Sequence, residues 1–129
     1  MAEPGAGISA PTIAVLPFDN PSGDPEQEYF ARGFVEDVVT ELSRFPTLEV
    51  IHPRTSFTLP RRPRSTVGLP EVLRDGYLLC GTVRRMGDVI RVAAQLVDAA
   101  SIRQVWAERF DAPAEGLLSL QDQIVARVV

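Results

Sequence analysis

A single cysteine, Cys80, and a single histidine, His52, are all that this 129-residue sequence offers of the two residue types most used for metal ligation and nucleophilic chemistry. One cysteine closes no internal disulfide and builds no zinc ribbon. Lysine is missing altogether, so the 13 basic residues are all arginine. No apolar run approaches the roughly 18 to 20 residues that a membrane-spanning helix needs. The opening MAEPGAGISAP carries no basic region ahead of a hydrophobic core, so no secretory leader is expected and the cytoplasm is the default compartment. The net charge of -4 opposes non-specific attraction to a phosphate backbone or an anionic lipid surface.

The composition, 45% hydrophobic and 23% charged, is that of a globular chain, and its length suits one core. Residues 1–10 are small, with one proline and two glycines, and read as a loose tail ahead of one domain over 11–129. Thr12 to Phe18 is a short apolar run bounded by prolines, suited to a strand buried on both faces. The turn formers Asp19 to Asp24 follow. Asp24 as N-cap, Pro25 in the first turn and Gln27 three residues after the cap start a helix near residue 25. Ala31, Phe34, Val35, Val38, Leu42 and Phe45 give it one apolar face, and Pro46 stops it.

Leu48 to Ile51 predicts a second strand. From Pro53 to Leu69 the prolines and the absence of alternation predict a long, mobile connection, and a short helix is expected over Leu69 to Leu73. From Gly76 the period becomes two, predicting strands over Tyr77–Arg84, Val89–Val97 and Ile102–Phe110 joined by hairpin turns. Trp106, Glu108 and Phe110 share one strand parity, which requires either a bulge or an exposed edge. Leu117 to Val129 has helical spacing up to the last residue, as expected of a piece of a longer chain.

Chemistry-bearing groups are sparse. His52 lies at a strand end beside Pro53, and Cys80 lies in the aliphatic stretch Tyr77 to Cys80, where a thiol behaves as a small hydrophobe. No nucleophile elbow, Walker loop or dinucleotide fingerprint is present. No catalytic residue, metal site or cofactor is therefore expected. Asp19, Asn20 and Asp24 are the candidate ligand-binding residues, placed where open α/β sheets form crevices. Their acids disfavour phosphate, and they lack the ligand ladder of a calcium loop. Arg61, Arg62 and Arg64 form the one concentrated basic patch and, with Trp106, are the candidate interaction residues. Aromatics interleaved with the arginines are lacking, so direct nucleic-acid binding is not expected.

Several ordered blocks resemble the TolB-like amino-terminal domain family. They are Ile13 to Asn20, Ser22 to Ala31, Glu36-Asp37 to Leu42-Ser43-Arg44-Phe45, Gly81 to Arg85, Arg91 to Ala99, Trp106 to Asp111 and Gln121-Asp122. The resemblance implies an α/β (α+β) fold, with a mixed sheet of about five strands and two or three helices packed mainly on one face. It also implies a module linked to a class III adenylate or guanylate cyclase or a winged-helix domain, and to downstream tetratricopeptide repeats. It supplies no catalytic residues. The family's Ala-Asp-Gly reads Ala31-Arg32-Gly33 here, and its Leu-Glu-Gly reads Leu79-Cys80-Gly81, so any ligand role of those acids is altered.

The expected function is a non-enzymatic regulatory or interaction module of a signalling protein, coupling an effector to repeats. A homodimer formed through an outer strand edge or the final helix is a further expectation. The alternative is a small-molecule or metal sensor using the Asp19 to Glu28 loop.

Overall fold

The structure, a computed structural model, describes residues 11–21, 23–61, 69–113 and 117–128. The predicted tail 1–10, Arg62 and Arg64 lie outside the described residues. In chain order the elements are β1 (Thr12–Val15), α1 (Pro25–Leu42), β2 (Glu49–Val50), α2 (Pro53–Ser56), a 3-10 turn (Glu71–Leu73), β3 (Tyr77–Met86), β4 (Val89–Asp98), β5 (Arg103–Pro113) and α3 (Leu117–Val128). The strands form one mixed sheet in the order β2-β1-β3-β4-β5. β1 runs parallel to both neighbours, and β3, β4 and β5 are antiparallel.

The helix over α1 forms for the reasons its sequence states. Asp24 is extended and its side chain accepts the Glu26 backbone N–H, Pro25 occupies the first turn, and Glu26 and Glu28 sit at the positive end of the helix dipole. Ala31, Phe34, Val35, Val38, Val39 and Leu42 are buried. They pack with Leu120, Ile124 and Val125 of α3 onto Ile13, Val15, Leu79, Val83, Ile90, Val92, Ala94, Leu96 and Phe110 of the sheet. Each large aliphatic side chain removed from water in this layer contributes roughly 1.5–3 kcal/mol.

Strand alternation sends the other residues of β1 and β3 to the opposite face. There Ala14, Leu16, Leu78, Cys80, Val97 and Ala99 are covered by Leu59, Leu69 and Leu73. This second cluster shields only the β1 side of the sheet. Thr82, Arg84, Arg91, Ala93, Gln95, Ala107, Arg109 and Asp111 lie beyond it, half-exposed or exposed.

The segment after Pro53 departs from expectation. Its first part is an ordered helical turn, α2, because proline at the first helical position forfeits no hydrogen bond and the His52 ring accepts the Arg54 N–H at 3.0 Å as a cap. Ser56 at the end of α2 and Leu59 just beyond it are buried. The helix expected over Leu69 to Leu73 is a 3-10 turn of three residues preceded by Pro70. β2 shrinks to two residues, whereas β3, β4 and β5 run longer than their apolar patterns.

The β5 parity problem resolves through both of its alternatives. β5 is the sheet edge, and the register slips between Leu96 and Val97, whose partners are Trp106 and Gln104, leaving Val105 as the extra residue. Trp106, Glu108 and Phe110 all face α3. The Trp106 indole N–H donates to the Arg127 carbonyl oxygen at 3.3 Å, and Glu108 pairs with the Arg127 guanidinium at 3.0 Å.

Candidate functional site

The loop leaving β1 is fastened to β3 before α1 begins. The Asp19 N–H donates to the Gly81 carbonyl and the Val83 N–H donates to the Asp19 carbonyl, each at 2.9 Å, which extends the parallel pairing past the strand proper. The Asn20 amide donates to the Asp24 carbonyl at 2.9 Å, and Gly23 adopts φ 70 in the left-handed region that favours glycine. Of the three candidate ligand residues, Asn20 and Asp24 are thus tied to shaping the turn and capping α1.

Arg61 brings the basic stretch to this loop. Its guanidinium donates to the Phe18 carbonyl at 2.8 Å, forms an ion pair with Glu28, and lies 3.8 Å from an Asp19 carboxylate oxygen. The sequence separated these groups into an acidic loop and a basic loop; the fold makes them one constellation.

Two clefts flank Arg61. One, of about 320 Å³, is lined by Arg61, Cys80, Gly81, Thr82, Gln95, Val97, Ile102 and Gln104. The other, of about 120 Å³, is lined by Pro17, Phe18, Glu28, Arg32, Phe57 and Arg61. Arg32 also stacks over the Phe57 ring at 5.2 Å. Both departures from the TolB-like pattern, Arg32 and Cys80, therefore border Arg61. Ile102 sits at φ 54, uncommon for a β-branched residue, and its N–H donates to the Asp98 carbonyl at 2.7 Å. The larger cleft thus has one strained wall.

Cys80 is buried, with its sulfur 3.8 Å from the Gln95 side-chain oxygen. His52 is exposed at the start of α2, its ring nitrogen used as a helix cap. Among the described residues no carboxylate lines the larger cleft, and no group of three or more His, Cys, Asp or Glu is placed to hold a metal ion. Trp106 is half-buried in the seam between β5 and α3.

A second cluster escaped the sequence reading. On the uncovered half of the sheet Arg84, Arg91 and Asp111 stand in one cross-strand row, and Thr82, Ala93 and Arg109 in the next. Arg91 grips Asp111 with two hydrogen bonds, 2.9 and 3.2 Å. The side-chain hydrogen bond from Arg91 holds the Asp111 carboxyl below its ordinary value, with the Arg91 and Arg109 charges acting in the same direction. The same bond pushes the Arg91 guanidinium up. The available signal was the alternation of arginines through paired strands, which becomes a cluster only once the register is known.

This architecture, a five-stranded mixed sheet with its long helices on one face, is that of the TolB amino-terminal domain. The chain belongs to the family described as the HilA/YgeH-like transcriptional regulator, second domain, whose profile matches residues 9–127. Among individual proteins it is 42% identical over 129 residues to a putative adenylate cyclase 3 of Rhizobium meliloti (strain 1021), covering 99% of this chain. It spans only 22% of that relative's length. Its fold is shared with TolB from Acinetobacter baumannii (TM-score 0.61, 21% identity, 92% of this chain and 27% of TolB). It is shared also with lipoprotein GNA1162 from Neisseria meningitidis (TM-score 0.62, 19% identity, 90% and 94% covered). The expected fold class is borne out, and the resemblance to TolB-like domains holds at the level of architecture.

Proposed function

We propose that this chain is a non-enzymatic regulatory and interaction module of a signalling protein, coupling an effector to downstream repeats. The effector is an adenylate or guanylate cyclase or a DNA-binding domain. The observation that carries this reading is the match of residues 9–127 to a domain of transcriptional regulators, together with 42% identity to about a fifth of a putative adenylate cyclase. The chemistry agrees: the one histidine caps a helix, the one cysteine is buried beside an amide, and the acids of the first loop are engaged by backbone or by Arg61. Such a domain acts through its surfaces.

The test uses the longer protein that contains this chain. Deleting residues 11–129 is expected to change nucleotide cyclisation or operator binding by the attached effector, while the isolated chain turns over no nucleotide. Turnover by the isolated chain, or unchanged effector output after deletion, overturns the proposal.

The cleft of about 320 Å³ favours a second reading, a sensor for a small polar ligand, because its volume is that of a modest ligand site and amide, hydroxyl and guanidinium groups converge on it. A concentration-dependent rise in melting temperature with a metabolite, abolished by Gln95→Ala, supports it. Unchanged melting across nucleotides, metals and metabolites removes it.

A further inference from the structure

The three antiparallel strands expose a charge pattern at odds with the chain as a whole. The protein carries a net charge of -4, yet the uncovered face of β3, β4 and β5 gathers Arg84, Arg91 and Arg109 around one acid, Asp111. Arg84 and Arg91 are direct cross-strand partners, an arrangement in which like charges repel. Asp111 answers that repulsion only in part. Its carboxylate is taken up in the two-pronged bond to Arg91, and among the described residues Arg84 has no hydrogen bond or ion pair. A face that holds more guanidinium groups than it neutralises is complementary to an anion.

We propose that this face, centred on Arg84, Arg91 and Arg109, docks an acidic polypeptide segment. The inference rests on the module reading above and names the chemistry of the partner. The rows of the sheet favour an extended occupant. From the row of Arg84, Arg91 and Asp111 the face passes through Thr82, Ala93 and Arg109 to Cys80, Gln95 and Ala107, where it meets the cleft bordered by Arg61. Successive rows lie about 7 Å apart, the repeat at which an extended peptide presents alternate side chains. The small side chains of Ala93 and Ala107 leave a shallow floor between the arginines. Guanidinium groups bind carboxylates through paired, planar hydrogen bonds, so Arg84 and Arg109 are suited to Asp and Glu side chains.

Nucleic acid fits this face less well. Trp106 and Phe110 face α3, so among the described residues no aromatic ring on the open side offers a base a stacking surface. The negative net charge also works against the long-range attraction on which phosphate-backbone binding depends.

The experiment is fluorescence anisotropy of a labelled poly-glutamate peptide, with single-stranded and duplex DNA as competing probes. The wild-type chain is expected to bind the peptide with an affinity that falls as salt rises, and Arg84→Glu with Arg109→Glu is expected to weaken it about tenfold or more. Arg44→Glu with Arg74→Glu, an equal charge change away from this face, is expected to leave it nearly unchanged. Should the double glutamate variant not fold, Arg84→Gln with Arg109→Gln is expected to give an intermediate loss. Absence of peptide binding, equal weakening by the two charge-matched pairs, or preference for DNA overturns the proposal. Effector output in the longer protein separates this inference from the module reading. If deleting residues 11–129 changes output and Arg84→Glu with Arg109→Glu does not, the docking surface is wrong and the module reading stands; if deletion changes nothing, the module reading itself fails.

Discussion

Gln121 on α3 donates its amide N–H to a carboxylate oxygen of Asp37 on α1 at 3.0 Å, from a position only 2% exposed. The two helices that cover the sheet are thereby joined by a polar bond at the edge of an apolar layer. Gln121 and Ser56 are the buried polar side chains among the described residues, so this bond is a specific registration point in a seam otherwise held by Leu120, Ile124 and Val125.

Replacing the amide by a carboxyl turns the same contact against the fold. In Gln121→Glu the new group is buried beside the Asp37 carboxylate, so its folded-state pKa rises above its unfolded value. A carboxyl shifted upward destabilises the fold above its unfolded pKa, and the penalty vanishes once pH falls below that value. The variant is expected to lose about 2 kcal/mol or more near neutral pH and to recover most of it near pH 4 relative to wild type. Urea unfolding midpoints at the two pH values decide it. A loss independent of pH contradicts the contact.

The Asp111 carboxyl is shifted the other way, downward, chiefly by its hydrogen bond to Arg91. A depressed carboxyl stabilises the fold above its unfolded pKa, and that contribution disappears as pH falls through the folded value. Carbon-detected NMR titration is expected to place the Asp111 midpoint below that of an ordinary aspartate, and Arg91→Gln is expected to move it back up, with Arg109 retaining a smaller influence. An Asp111 midpoint unaffected by Arg91→Gln contradicts the pairing.

The parts legible in the sequence were those written in local chemistry. Asp24-Pro25 announced α1, and the alternation around Ile90, Val92, Ala94 and Leu96 announced a strand covered on one side, because capping and periodicity act within a few residues. The Arg61 constellation was hidden for the opposite reason. Arg61 reaches back 33 residues to Glu28 and 43 to Phe18, and nothing in Pro60-Arg61-Arg62 distinguishes the anchored arginine from its neighbours. The order around Pro53 was hidden because proline reads as a breaker unless its place in the first turn is known. The arginine face needed the register of three strands, which alternation alone leaves open.

Gly81 tests the register of β3 against β4. A Cβ built there would run into the Ala93 carbonyl oxygen, a backbone atom that cannot swing aside. Gly81→Ala is therefore expected to cost about 2–4 kcal/mol, visible as a lower urea midpoint with an unchanged slope. Gly33→Ala on the exposed side of α1, where a Cβ meets nothing within 4 Å, is expected to stabilise by up to about 1 kcal/mol through helix propensity. If both substitutions have the same sign, the close approach at Gly81 is wrong.

Arg61 fastens the loop before α1 through the Phe18 carbonyl and Glu28, and its side chain is still 39% exposed. Solvent screening at that exposure limits what the ion pair contributes, so Arg61→Ala is expected to lower global stability by only about 1 kcal/mol. The larger effect is local. The Phe18 carbonyl loses its charged donor and Glu28 its cation, which loosens the segment from Asn20 to Glu28, while the β3–β4 ladder, held by its own ten paired residues from Tyr77–Asp98 to Met86–Val89, keeps its protection. Amide hydrogen exchange is expected to accelerate in the first segment and stay unchanged in the second. Arg61→Lys is expected to restore little of the protection, because an ammonium group lacks the planar fork that reaches a carbonyl and a carboxylate together. Full protection in the lysine variant would mean that charge alone holds the loop, and uniform acceleration across both segments would mean that Arg61 acts on the whole domain.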